Sequence, residues 1–153
     1  MLINSAVLGE VEISDEDIFN VPDGFYGFDG NGKYALITKV DEDVTLRWFQ
    51  PVEAQVPCFV VFDPGDILLD YRPILEPSDL RALEASNIGE LEFLTIAVVP
   101  ENIRDITVNL KSPIAINRRK GIARQVILRN TDYPIRFPLV EDEDEFAAAA
   151  QGE

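Results

Sequence analysis

The sequence predicts a mainly β protein, a compact antiparallel β-barrel-like single domain with one short helix at about residues 77–85. Three observations carry this. Short runs of strand-forming residues recur along the chain, several with apolar and polar residues in alternation. Strong turn sequences separate them, among them Pro22-Asp23-Gly24, Asp29-Gly30-Asn31-Gly32 and Asp63-Pro64-Gly65-Asp66. The helical signature is confined to residues 77–85, where proline suits a first turn, Ser78 or Glu76 can cap, and Leu80 and Leu83 share a face.

In chain order, Val11 and Ile13 alternate with polar neighbours, which suits a half-exposed strand over residues 9–13. Residues 33–40, 45–50 and 58–62 are rich in strand formers and give the next three strands. Residues 91–99 are apolar on both faces after their start, as in a central strand covered on both sides. Ile106, Val108 and Leu110 point one way, Thr107 and Asn109 the other, and Ile114 and Ile116 continue the apolar face past Pro113. Proline cannot donate a ladder hydrogen bond, so it marks an edge or a bend there. Asn117-Arg118-Arg119-Lys120-Gly121 reads as a turn and residues 122–128 return, giving a hairpin with a basic tip.

A chain of 153 residues with 46% hydrophobic content is long enough for one domain with a proper core. Neither an internal repeat nor a linker divides it. No apolar run approaches the roughly 20 residues of a membrane helix, and the start lacks the basic and apolar regions of a signal peptide. A cytoplasmic location is therefore expected. Cys58 is the single cysteine, so no intrachain disulfide can form, and its setting in Cys58-Phe59-Val60-Val61-Phe62 suits a buried structural thiol.

Charge narrows the function further. The net charge is −15 and histidine is absent. A nucleic-acid binder needs the opposite sign, so direct contact with DNA or RNA is not expected, nor with anionic membranes. An acidic protein attracts basic partners and speeds their approach, although acidity also serves solubility alone. Residues 1–103 hold 20 acids and 5 bases, residues 104–136 hold 8 bases and 2 acids, and the last 17 residues hold 6 acids and no base. Such asymmetry suggests an interaction surface, or pairing of the tail with the basic stretch. Residues 141–145 are five acids in a row, which repel one another, and Phe146 and four alanines follow. Acids ahead of an alanine run suit a helix N-terminus, but so short a segment is marginal alone, and mobility is expected unless a partner holds it.

The residues do not point to catalysis. Without histidine the commonest general base and zinc ligand are missing, and one cysteine cannot build a thiolate metal site. Asp15 with Asp17 and Asp41 with Asp43 read as solvated loop acids. The stretch beginning at Asp29 fails as a calcium loop because Val40 stands where a bidentate glutamate is required. No enzyme, metal or cofactor is expected.

Three segments together resemble the FliW family. The first is Phe19-Asn20-Val21-Pro22-Asp23-Gly24-Phe25-Tyr26-Gly27-Phe28, with its pair of glycines before a phenylalanine. The second runs from Trp48-Phe49-Gln50 through Pro57-Cys58-Phe59-Val60-Val61-Phe62-Asp63-Pro64 to Tyr71. The third is Thr107-Val108-Asn109-Leu110-Lys111-Ser112-Pro113-Ile114-Ala115-Ile116-Asn117, followed by Gln125-Val126-Ile127-Leu128 and Tyr133. Pro51 departs from the family pattern, where a small polar residue follows the glutamine. The resemblance covers residues 2–139, placing a FliW-like β domain at residues 1–140 and leaving 141–153 as an acidic tail.

The resemblance implies a β-barrel and a regulatory role. FliW-like proteins bind flagellin in the cytoplasm and, when released, bind and antagonise the translational repressor CsrA, coupling flagellin synthesis to export. Flagellin and CsrA are thus the expected partners of a chain that is a monomer when free. The alternative is an acidic nucleic-acid mimic that directly blocks a basic RNA- or DNA-binding protein. Candidate partner-contact residues are Phe28, Trp48, Gln50, Asn109, Arg118, Arg119 and Gln125. Structural alternatives stand beside them. Phe28, like Phe49 and Tyr71, suits a core. Trp48 is an anchor or core residue, Asn109 and Gln125 face a partner or bond a buried strand end, and Arg118 and Arg119 meet an acidic partner or water.

Overall fold

A computed structural model describes residues 1–5, 7–25 and 32–139 of the chain. Within them eleven strands are formed: β1 (Leu2–Ser5), β2 (Gly9–Glu12), β3 (Ile18–Val21), β4 (Gly32–Asp41), β5 (Val44–Pro51), β6 (Phe59–Phe62), β7 (Glu92–Val98), β8 (Thr107–Val108), β9 (Ile114–Asn117), β10 (Ile122–Gln125) and β11 (Phe137–Pro138). Two helices accompany them, α1 (Pro64–Ile67) and α2 (Pro77–Ala82).

Seven strands close into a barrel in the order β7, β6, β5, β4, β3, β10, β9 and back to β7. Closure comes from β7 pairing with both β6 (Val61 opposite Ile96) and β9 (Leu94 opposite Ile114). The pairings are antiparallel apart from β3 with β10, where Asn20 N–H also donates to Gly121 C=O at 2.8 Å. A closed barrel leaves few strand edges open to unwanted pairing. β8 and β11 extend the sheet beyond β7, while β1 and β2 form a separate hairpin.

The period-two rule of strands sorts the apolar residues into an inner and an outer set. Phe19, Val21, Tyr34, Leu36, Phe49, Val61, Leu94, Ile114, Ile116 and Ala123 meet Phe25 in one buried cluster inside the barrel. Phe25 stands edge-on to Tyr34, with ring centres 4.9 Å apart, and Tyr34 stacks on Phe49 at 5.4 Å. Their strand neighbours point outward and need covers of their own. The β1–β2 hairpin brings Ile3 and Ile13 onto Ala35, Ile37 and Trp48. On the opposite wall Leu75 and Leu83 cover Ala115, Val126 and Leu128.

The alternation expected over residues 106–116 is realised, with Ile106, Val108, Leu110, Ile114 and Ile116 all buried. Elsewhere the structure departs from expectation in three places. The predicted helix stops at Ala82, because Glu84 adopts a left-handed conformation (φ 54°) while Ala85 N–H reaches back to Leu80 C=O at 2.9 Å. The supposed turn Asp63-Pro64-Gly65-Asp66 is a one-turn helix, capped by Asp63 Oδ1 accepting from Gly65 N–H at 2.8 Å. Strand β7 is covered on both faces only in its middle: Leu94 and Thr95 are buried, whereas Glu92 and Val98 at its ends are exposed.

Candidate functional site

Trp48 and Gln50 lie on the outer face of β5, beneath the β1–β2 hairpin, and both are buried. Gln50 is 0% exposed and its amide is used within the chain. Nε2 donates to the carbonyls of Asn4, Pro51 and Ala54 at 3.3–3.4 Å, and Oε1 accepts from Cys58 Sγ at 3.7 Å. The residue therefore ties the hairpin to the strand end, the same stretch where Pro51 breaks the family pattern. Cys58 is half-buried, and burial raises its thiol pKa.

Asn109, Ser112 and Gln125 form a second group at the far wall. Asn109 Oδ1 accepts from the N–H groups of Lys111 and Ser112 at 3.1 and 2.8 Å, shaping the bend into Pro113. Gln125 Nε2 donates to Ser112 C=O at 3.4 Å. Both side chains are half-buried.

Arg118 and Arg119 occupy the β9–β10 turn, whose left-handed residue is Gly121 (φ 68°). Arg118 is held from several sides. Its Nε donates to Glu92 at 2.8 Å, and Nη1 donates to Glu16 C=O at 2.9 Å and to Asp17 at 3.1 Å. Its guanidinium lies 5.4 Å from the centre of the Phe19 ring, and the bond to Glu92 raises its pKa. Arg119 is exposed and has no ion pair among the described residues. Phe28 and the acidic tail lie outside the described residues. The described candidates therefore fall in three separate places rather than one, and the Trp48–Gln50 place is buried.

Other residues are brought together that sequence reasoning did not group. Arg124 donates to Asp23 and, at 3.0 Å, to Asp79, so one arginine links β10, α2 and the Pro22-Asp23-Gly24 turn. Tyr71 stacks on Tyr133 with ring centres 4.8 Å apart, and its hydroxyl donates to Leu110 C=O at 2.7 Å. Burial, with Tyr133 nearby, raises the Tyr71 pKa far above the ordinary phenol value. Tyr71 also lines a cavity of about 500 Å³ with Arg47, Asp63, Arg72, Glu92 and Phe93. That volume is typical of ligand pockets, which run from about 300 to 1,000 Å³. The one signal in the sequence for Arg47 is its parity: it shares a strand face with Phe49, whose ring lies inside the barrel.

No group of three or more carboxylates or thiols is placed to hold a metal ion among the described residues, and none of their helices is long and apolar enough to cross a membrane. What this arrangement offers chemically is recognition: charged forks, aromatic walls and a mixed cavity.

The family model described as FliW protein matches residues 2–139. The chain belongs to the FliW family. Among its relatives is the flagellar assembly factor FliW of Natranaerobius thermophilus, 35% identical over 154 residues, covering 98% of this chain and 99% of that protein. The protein of the same name from Ruminiclostridium cellulolyticum is 32% identical over 142 residues, covering 93% and 96%. The Thermotoga maritima protein is 34% identical over 142 residues, covering 92% and 95%. A crystal structure of the flagellar assembly factor FliW superposes with a TM-score of 0.80 at 26% identity, covering 94% of this chain and 99% of that one. The expectation of a FliW-type barrel is thereby met.

Proposed function

We propose that this protein is a flagellar assembly factor that binds flagellin in the cytoplasm and, once freed of it, binds and antagonises CsrA. The observation that carries this reading is near full-length identity, at 32–35%, to proteins named flagellar assembly factor FliW. Physical chemistry supports it from another side. CsrA must present a basic surface to RNA, and a protein of net charge −15 steers such a partner towards itself. The acids of residues 1–103 carry most of that field.

Steering alone does not decide how RNA is displaced. A regulator that acts away from the RNA site binds both free and RNA-bound CsrA and keeps most of its affinity in moderate salt. An acidic mimic of nucleic acid binds only RNA-free CsrA and loses its affinity as salt rises. Calorimetric titration of this protein into CsrA of the same organism, with and without target RNA at two salt concentrations, tests the reading. Binding to both forms is the expected result. Binding to neither overturns the repressor half of the proposal, and titration into flagellin tests the other half separately.

A further inference from the structure

Arg47 is half-buried, and it has no partner among the described residues. Its Nε is buried with no hydrogen-bond acceptor, and no carboxylate among the described residues pairs with its guanidinium. A buried N–H left unmatched is costly, so an acceptor supplied from outside the described fold would gain most here.

Arg47 and Asp63 line two cavities. The larger, about 500 Å³, has Tyr71, Phe93, Leu94 and Ile88 among its walls. The smaller, about 230 Å³, is bounded by Thr45, Val61 and Asp66. Two of the acids that line these cavities are already engaged. Glu92 accepts from Arg118 at 2.8 Å, and Asp63 accepts from Gly65 N–H at 2.8 Å. Arg72 adds a second cation at the mouth of the larger cavity, where its side chain is 86% exposed and only 3.7 Å contact with Asp70 restrains it.

We propose that these joined cavities form a docking site for a partner protein's chain segment, with an apolar side chain in the larger cavity and an adjacent glutamate carboxylate on Arg47. This rests on the protein-binding reading above and gives it a location and a chemistry. An arginine fork matches a carboxylate, and the desolvated position strengthens that pairing. The chain's own tail is a poor occupant, because five consecutive acids would crowd against Asp63, Asp66 and Glu92, which line the same cavities. The body's negative field selects in the same direction, for a segment with a single acid in a neutral or basic context.

The test is NMR on the ¹⁵N-labelled full chain, watching the Arg47 Nε–H signal and the amides of Gly65, Tyr71 and Phe93. The probes are acetyl-Phe-Glu-amide and acetyl-Phe-Gln-amide. The glutamate peptide is expected to move these signals saturably, and the glutamine peptide to bind at least about tenfold more weakly. Arg47→Met is expected to abolish the difference while raising the melting temperature, and Arg47→Lys to restore it in part. Equal responses to the two peptides, no response at Arg47, or a response that survives in Arg47→Met overturns the proposal. Flagellin and CsrA titrated onto the wild type and Arg47→Met separate this inference from the function. Arg47→Met is expected to weaken at least one of them about tenfold or more. Equal binding to both forms removes the cavity and leaves the function standing, whereas no binding to the wild type removes the function itself.

Discussion

Arg118 is bonded to Glu92, and Arg47 lines the same cavity as Glu92, yet the fold treats these two arginines in opposite ways. Arg118 is bonded to two carboxylates and a carbonyl and lies near the Phe19 ring. Arg47 has a buried nitrogen and no acceptor. The first charge closes a seam: it joins the β9–β10 turn to β7 and to the segment before β3. The second closes nothing among the described residues. Arg118 also engages Glu92, an acid that lines the same cavity as Arg47. Charges that hold this fold are answered locally, and the unanswered one is where recognition by another molecule gains most.

Breaking an answered arginine is expected to cost most. Asp79→Ala strips Arg124 of its buried partner and should destabilise the protein by about 2 kcal/mol, read as a fall of several degrees in a thermal melt. Arg118→Met leaves Glu92 and Asp17 unpaired at a partly exposed site, with an expected loss of about 1 kcal/mol in urea unfolding. In the same variant a freed Glu92 competes for Arg47, so binding of the acidic peptide should weaken. Arg47→Met should move the other way and stabilise by about 1 kcal/mol, since a methionine keeps the length and removes the unmatched donor. A loss of stability there would mean that Arg47 serves the fold after all. The smallest change is Glu84→Gly, which relieves a left-handed residue at the end of α2 and should add about 0.5–1 kcal/mol without touching either arginine site.

Much of the barrel was legible because local alternation decides it. Residues 106–116 show their inward face directly in the order of Ile106, Val108, Leu110, Ile114 and Ile116. The segment around Asp63 misled because Asp-Pro-Gly-Asp suits a turn and a capped helical start equally well. Strand β3 carries no clean alternation, and its parallel partner β10 lies about a hundred residues further on, so pairing and not propensity defines it. Trp48 stayed open between anchor and core, and Gln50 stood as a contact candidate, because the β1–β2 hairpin that buries both comes from a distant part of the chain. Arg118 was legible as a basic turn residue, but its partners Asp17 and Glu92 are contributed by the tertiary structure. Arg47 was silent for the same reason: an unpaired charge is defined by what fails to meet it.

The measurement that bears most directly on the account follows labelled flagellin mRNA bound to CsrA by fluorescence anisotropy. Adding this protein should release the RNA and lower the anisotropy, and adding excess flagellin should restore it. RNA that stays bound at saturating protein, or release that flagellin cannot reverse, would contradict a regulator that alternates between the two partners.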